Sequence, residues 1–400
     1  MTAVPRPSLD DPKDSWLVYA DSLQSAGDPR GELIALNQAV EDGAPSADRD
    51  AFLGKHAEAI YGTLTPYRAQ VEIDWKWCVP KTLSLLIGPK DKPAAMVEAL
   101  LASPLATEMQ TLRLVARTPS DSDKIDLAPA TALLGKGLPP NCTDLELVDD
   151  RAQRSRILVS ADYSPDTNLV EFGNLDALWA IPHLRKLHMV VADTEQINLG
   201  TIDAPALEDF SLLGLRWGQP YGRPTDMATT MAEAKWPKLR RLALRIPETF
   251  TYSWPEQYGA YVAVDRYEEE NEYYDDYADD DGWREDLDWS AELGNLLNAL
   301  KDTPIEELSL TSFASAGTLL EALRNHGLPA SLRRLDLGTS ELSDANVPWM
   351  VENAALFDKL EELDLSDTLI SDPEPLSVLA PKIVHSEGSG AIYRFSVGME

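Results

Sequence analysis

Two stretches near the C-terminal end of the chain share one alternation of apolar and polar positions. In LRRLDLGTSELSD, from Leu332, and LEELDLSDTLISD, from Leu360, leucines occupy the first, fourth and sixth places, and the copies start 28 residues apart. The last two leucines of each phrase obey the period of a strand, so Leu335 and Leu337 point to one face while Arg334, Asp336 and Gly338 point to the other. Beyond the first copy, Val347, Met350, Val351 and Ala354 recur at helical spacing, with Ser343 or Asp344 placed to serve as N-cap. Each unit is therefore predicted to be a short strand followed by a helix.

The phrase continues backwards with declining fidelity. It is read at IEELSL from Ile305, LRRLAL from Leu239, LEDFSL from Leu207, LRKLHM from Leu184, CTDLEL from Cys142, MQTLRL from Met109 and PKTLSL from Pro80. Its final apolar positions are 27 and 28 residues apart in the last three units, but 66 residues separate Leu244 from Leu310. A period in this range marks stacked units, none of which can bury its own apolar face alone. The competing reading, an ordinary α/β domain whose strands begin with leucine, does not account for the number of matching positions in the two C-terminal copies.

At these residues, from about 80 to 372, the chain resembles the leucine-rich repeat family, whose pattern is L-x-x-L-x-L-x-x-N/C-x-L. The resemblance implies an α/β leucine-rich repeat solenoid, a horseshoe of parallel strands with outer helices, irregular and occupying residues 66–400. The chain departs from the family at the ninth place, where Asn is replaced by Ser340 and Thr368, and by Phe313 and Pro247 in less faithful units. In the family that Asn bonds backbone groups between repeats; Ser or Thr makes fewer such bonds and Phe or Pro none, which puts the curvature in question.

The N-terminal stretch DSWLVYADSLQSAGDPRGELIALNQAV, from Asp14 to Val40, has Trp16, Leu17, Ala20 and Leu23 on one helical face. Gly27 is placed to end that helix, and Asp28-Pro29-Arg30-Gly31 is turn chemistry before Glu32 opens a second. This wording is similar to the bacterial repeat-companion domain, a small module found ahead of repeats in myxobacteria and planctomycetes. The resemblance implies a helical N-terminal cap over residues 1–65, an architectural role, since the family has no agreed biochemical activity. A terminal repeat exposes an apolar flank that must be covered; a docking module in its own right is the other reading.

Composition narrows the partner. Against 67 acidic residues stand 35 basic ones, a formal net charge of −32. Such a surface repels phosphate backbones, so nucleic acid is not expected, and a protein with a basic surface fits better. The first sixteen residues carry no apolar leader segment, and no stretch approaches the roughly 18 uninterrupted apolar residues of a membrane helix. With two cysteines, Cys78 and Cys142, in different units, a disulfide is not expected, which suggests a reducing, cytoplasmic setting.

Much of the negative charge is local. Glu268 to Trp289 holds twelve acids and one base, interleaved with Tyr273, Tyr274, Tyr277 and Trp283, within an insertion at about 250–290. Two readings stand: a solvated loop, or a hook in which rings supply contact area and carboxylates select a cationic partner. Calcium is a poor fit. With Gly282 at the sixth position of an EF-hand loop, Asp279, Asp281 and Asp288 fall on ligand positions, but Tyr277 takes the first and Arg284 the eighth. No metal and no cofactor are expected.

The search for catalytic motifs is nearly empty. Five histidines are present without H-E-x-x-H, paired C-x-x-C, Walker loop or G-x-S-x-G. His188 projects from its strand away from the core, but no pattern sets a serine or cysteine beside it. What the repeated phrase does supply is a row of non-core side chains on parallel strands. These are Arg334 and Asp336; Glu362 and Asp364; Glu307 and Ser309; Arg241 and Arg245; Asp209 and Ser211; Lys186 and His188. Neighbouring strands should bring Asp209 near Lys186 or Arg241. Mixed charge over a wide area suits a protein partner. The chain is therefore expected to be a non-catalytic protein-interaction module, binding through these residues and the acidic insertion. An inhibitor or immunity-type protein covering a basic enzyme is the alternative, and an unannounced hydrolase the third.

Overall fold

The computed structural model describes residues 4–117, 124–150, 170–191, 197–214, 225–245, 252–253, 262–263, 290–311 and 316–386. Eleven strands form one sheet whose spatial order is the chain order. They are β1 (Val71–Lys76), β2 (Val79–Ile87), β3 (Thr111–Ala116), β4 (Asp144–Asp149), β5 (Lys186–Val191), β6 (Asp209–Gly214), β7 (Arg241–Arg245), β8 (Glu307–Thr311), β9 (Arg334–Asp336), β10 (Glu362–Asp364) and β11 (Lys382–Val384). Only the β1–β2 hairpin is antiparallel; every later neighbour is parallel. The protein is thus α/β with a large, mostly parallel sheet.

Parallel neighbours require crossovers, and most of them carry helices as the repeat predicts; between β5 and β6 residues 197–208 hold none, and between β10 and β11 there is only a 3-10 turn, Glu374–Val378. After the N-terminal α1 (Lys13–Ser25), α2 (Pro29–Glu41), α3 (Ala47–Lys55) and α4 (Ala57–Tyr61), the chain forms α5 (Pro93–Leu101) between β2 and β3, and α6 (Ala128–Gly137) between β3 and β4. Next come α7 (Asp176–Trp179), α8 (Thr225–Ala232), α9 (Ser290–Leu300), α10 (Ala316–His326) and α11 (Val347–Glu352).

All nine phrases read in the sequence lie on sheet strands, β2 to β10. Leu308, Leu335 and Leu363 occupy consecutive rungs. Each is at most 1% exposed, and Leu310, Leu337 and Leu365 beside them are fully buried. One continuous apolar core runs from Leu33 to Ala380, so every strand rests on the side chains of its neighbours.

The turn after the strand repeats too. Thr339 and Asp367, 28 residues apart, both hold positive φ (57° and 58°). Backbone bonds join successive units: Leu337 N–H to Asp364 C=O (2.9 Å) and Leu365 N–H to Val384 C=O (2.8 Å). The hydroxyls of Ser340 and Thr368 are completely buried and donate back to Leu337 C=O and Leu365 C=O within their own units. Backbone, not the ninth side chain, therefore joins one unit to the next here.

Several local expectations are corrected. Neither Ser343 nor Asp344 caps α11: Asn346 stands at that place, and the Asp344 carboxylate accepts from the Ser371 amide and hydroxyl of the following unit. The second helix opens at Pro29 rather than Glu32, because Pro has no N–H to lose in a first turn and the Asp28 carboxylate accepts the Arg30 N–H. β11 is the last strand among the described residues; residues 387–400, Phe313, Pro247 and the acidic stretch 264–289 lie outside them.

At the N-terminus, α1 and α2 cross so closely at Gly31 that a Cβ there would stand 2.6 Å from the Ala20 carbonyl oxygen. The pair is clasped to the β1–β2 turn. Trp16 stacks on Trp77 (centroids 5.6 Å, planes 12° apart), and the Asn37 amide donates to the Trp77 carbonyl. Trp77 itself sits at φ 60°, a costly conformation for a bulky residue, held by this contact. Leu33, Leu53, Ile60 and Leu64 join the same core as Leu83 and Leu85 of β2.

Candidate recognition surface

On each strand the second and fourth places face the core, leaving the first and third on the opposite face. Six consecutive strands, β5 to β10, open with like-charged pairs: Arg185-Lys186, Glu208-Asp209, Arg240-Arg241, Glu306-Glu307, Arg333-Arg334 and Glu361-Glu362. In-register pairing sets Lys186 beside Asp209, Asp209 beside Arg241, Arg241 beside Glu307, Glu307 beside Arg334, and Arg334 beside Glu362. Sign therefore alternates at every step, from Asp144 of β4 to Lys382 of β11.

Ion pairs follow the rungs. Arg241 reaches Asp209 (2.9 Å) and Glu307 (3.6 Å), Arg334 also holds Glu307, Lys382 meets Glu362 (2.8 Å), and Lys186 lies 3.8 Å from Asp144. One residue earlier, Arg240–Glu306 (3.3 Å), Arg333–Glu361 (3.6 Å) and Arg185–Glu208 (4.0 Å) repeat the pattern. These side chains remain part-exposed, so each pair contributes only about 0–1 kcal/mol. Their effect is to hold long charged side chains in defined positions facing outward.

The third places are smaller and more buried. His188 Nδ1 and the Ser211 hydroxyl are hydrogen-bonded across β5 and β6, a neighbour relation that the sequence pattern did not reveal. The signal was present: LRKLHM and LEDFSL put His188 and Ser211 at the same offset, on the two strands expected to bring Asp209 near Lys186. Burial lowers the His188 pKa below its ordinary value, opposed by the charges of Glu146 and Asp209. Ser211 is only 3% exposed and the Glu146 carboxylate is engaged by Arg113 at 2.6 Å, so the pair forms a closed polar rung rather than an open nucleophile. Farther along, the Asp336 carboxylate accepts from Ser309 Oγ (2.7 Å) and from Gly338 N–H (2.9 Å), with Asp364 in the adjacent rung. Burial raises the Asp336 pKa, against the lowering effect of those two donors.

The outward face is narrower than the sequence implied. At the fifth places Leu86, Val115, Val148 and Val190 form a second, separate apolar cluster with Leu213 against it. On β2 to β5 only the first and third places are therefore polar. Arg245 ends the same face of β7 and is half-buried. Tyr273, Tyr274, Tyr277 and Trp283 lie outside the described residues. Both thiols are free, and burial pushes Cys142 up to about 12 and Cys78 to about 11, far from reactive thiolates. Among the described residues no cluster of three His, Cys, Asp or Glu could hold a metal ion, and no helix is long and apolar enough to cross a membrane.

No family model matches the chain, and no curated protein matches it. Among solved structures 28 chains match. One is a Bacteroides fragilis protein whose crystal structure was determined by the Northeast Structural Genomics Consortium, with a TM-score of 0.51 and 13% identity over 74% of this chain and 70% of that one. At that identity the similarity concerns the fold alone.

Proposed function

We propose that this chain is an irregular leucine-rich repeat solenoid, capped by an N-terminal repeat-companion hairpin, that works as a non-catalytic protein-interaction module. The observation that carries this reading is the alternating row of charged side chains, held by rung-to-rung ion pairs on the face opposite the core. Ordering them in the free protein reduces the entropy lost when a partner binds. Equal numbers of acids and bases in the six opening pairs favour a partner of mixed charge over a uniformly basic enzyme. Sequential strands in register and the 28-residue recurrence of the positive-φ turn support the repeat assignment. Two free thiols support a reducing, cytoplasmic setting.

The test is capture from an extract of the native host with the intact chain, and with chains carrying Arg241→Glu or Lys186→Glu. Loss of the same proteins from both variants, with the thermal transition retained, is the expected result. Capture untouched by either change would overturn the assignment of this face.

A further inference from the structure

Read from β5 to β10, the opening pairs run plus, minus, plus, minus, plus, minus; read backwards they show the opposite sign at every place. An even-numbered alternating row has this property, and it makes the row complementary to itself when reversed. We propose that the partner of this face is a second copy of the same chain, docked about a two-fold axis that runs between β7 and β8 along the strand direction. This rests on the reading of the strand face as a recognition surface.

The geometry is demanding in a way that can fail. With the axis between β7 and β8, Arg240-Arg241 faces Glu306-Glu307 of the second copy, and Glu208-Asp209 faces its Arg333-Arg334. At the end of the row, Arg185-Lys186 faces its Glu361-Glu362. The flanking rungs comply, since Asp144 then faces Lys382. The third places comply as well: Ala243 would meet Ser309, Ser211 would meet Asp336, and His188 would meet Asp364, with no like charges opposed. A slip of one rung would oppose like charges along the whole row, and a slip of two would leave Glu362 facing Thr111 of β3, so this register is the one that matches every opening pair. Elsewhere the formal net charge of −32 makes two copies repel, whereas the six opening pairs sum to zero. The face whose pattern matches itself therefore adds no net charge of its own to that repulsion.

Sedimentation velocity of the full chain at physiological ionic strength, over a concentration series, should show a monomer–dimer equilibrium. Two double reversals test its geometry. A chain carrying Arg240→Glu with Arg241→Glu opposes acids to acids at the axis, and one carrying Glu306→Arg with Glu307→Arg opposes bases to bases. Each alone should weaken the dimer by about tenfold or more, and an equimolar mixture should restore dimer, because each copy then supplies what the other lacks. Thermal melts confirm that both are folded before mixing; should one not fold, the milder Arg241→Gln must weaken the wild-type dimer.

A wild-type chain that stays monomeric at every concentration overturns self-pairing, as does a mixture of folded variants that stays monomeric. If the monomeric chain still captures a host protein in a way that Arg241→Glu abolishes, the recognition face stands and self-pairing alone has failed.

Discussion

His188 and Asp336 occupy the same face of the sheet but depart from their ordinary pKa values in opposite directions, each through burial of the charged form. For His188 the folded value lies below the unfolded one, so between them the unfolded chain binds more protons and stability rises with pH. Its contribution is complete above about 6.5 and is lost as pH falls through that value toward the folded one. For Asp336 the folded value is the higher, so its contribution is present below about 4 and is lost as pH rises through the folded value. Replacing His188 with Gln should therefore flatten the loss of stability below about pH 6.5, read as urea midpoints on either side of that value. An unchanged slope would show that the ring is not the group responsible. The pairing of His188 with Ser211 was within reach of the sequence, because the strand order that was expected to bring Asp209 near Lys186 sets Ser211 beside His188 as well; the burial that closes the pair was not legible, since it depends on packing around the assembled sheet.

At the scale of elements, the phrases were legible because leucines two apart on a strand must share a buried face, and each such phrase became a strand in chain order. β1 was missed because VEIDWK lacks the phrase, and β11 because three residues, with Ile383 alone facing the core, carry too little alternation to be distinguished from a loop. The cap of α11 was misassigned because Asp344 forms hydrogen bonds to the next unit instead, a competition invisible within one unit. The N-terminal hairpin is held by the Trp16–Trp77 clasp together with Leu33, which joins the main core. Trp16 is fully buried against Trp77 and Ala20, so Trp16→Ala should cost about 3–5 kcal/mol, measured by chemical denaturation. Faster proteolysis in the 26–28 turn should accompany it. A loss under about 1 kcal/mol would show that the clasp does not hold the hairpin on the sheet.

Across the whole molecule, core and face divide the work. The apolar spine through Leu308, Leu335 and Leu363 carries stability, while the opposite face displays charges whose mutual pairing adds little to it. Net charge suggested a basic partner, yet the rows on the strand face are balanced, because total charge says nothing about where each sign is displayed. The alternation of sign was written in the sequence as dipeptides at one fixed offset, and it becomes meaningful only once register places them side by side. Carboxyl footprinting tests the central claim most directly, comparing the free chain with its captured complex. Protection at Asp209, Glu307 and Glu362, with Asp48 and Glu58 of the N-terminal helices unchanged, is the predicted result. Protection confined to the N-terminal helices, with the strand carboxylates as reactive as in the free chain, would contradict it.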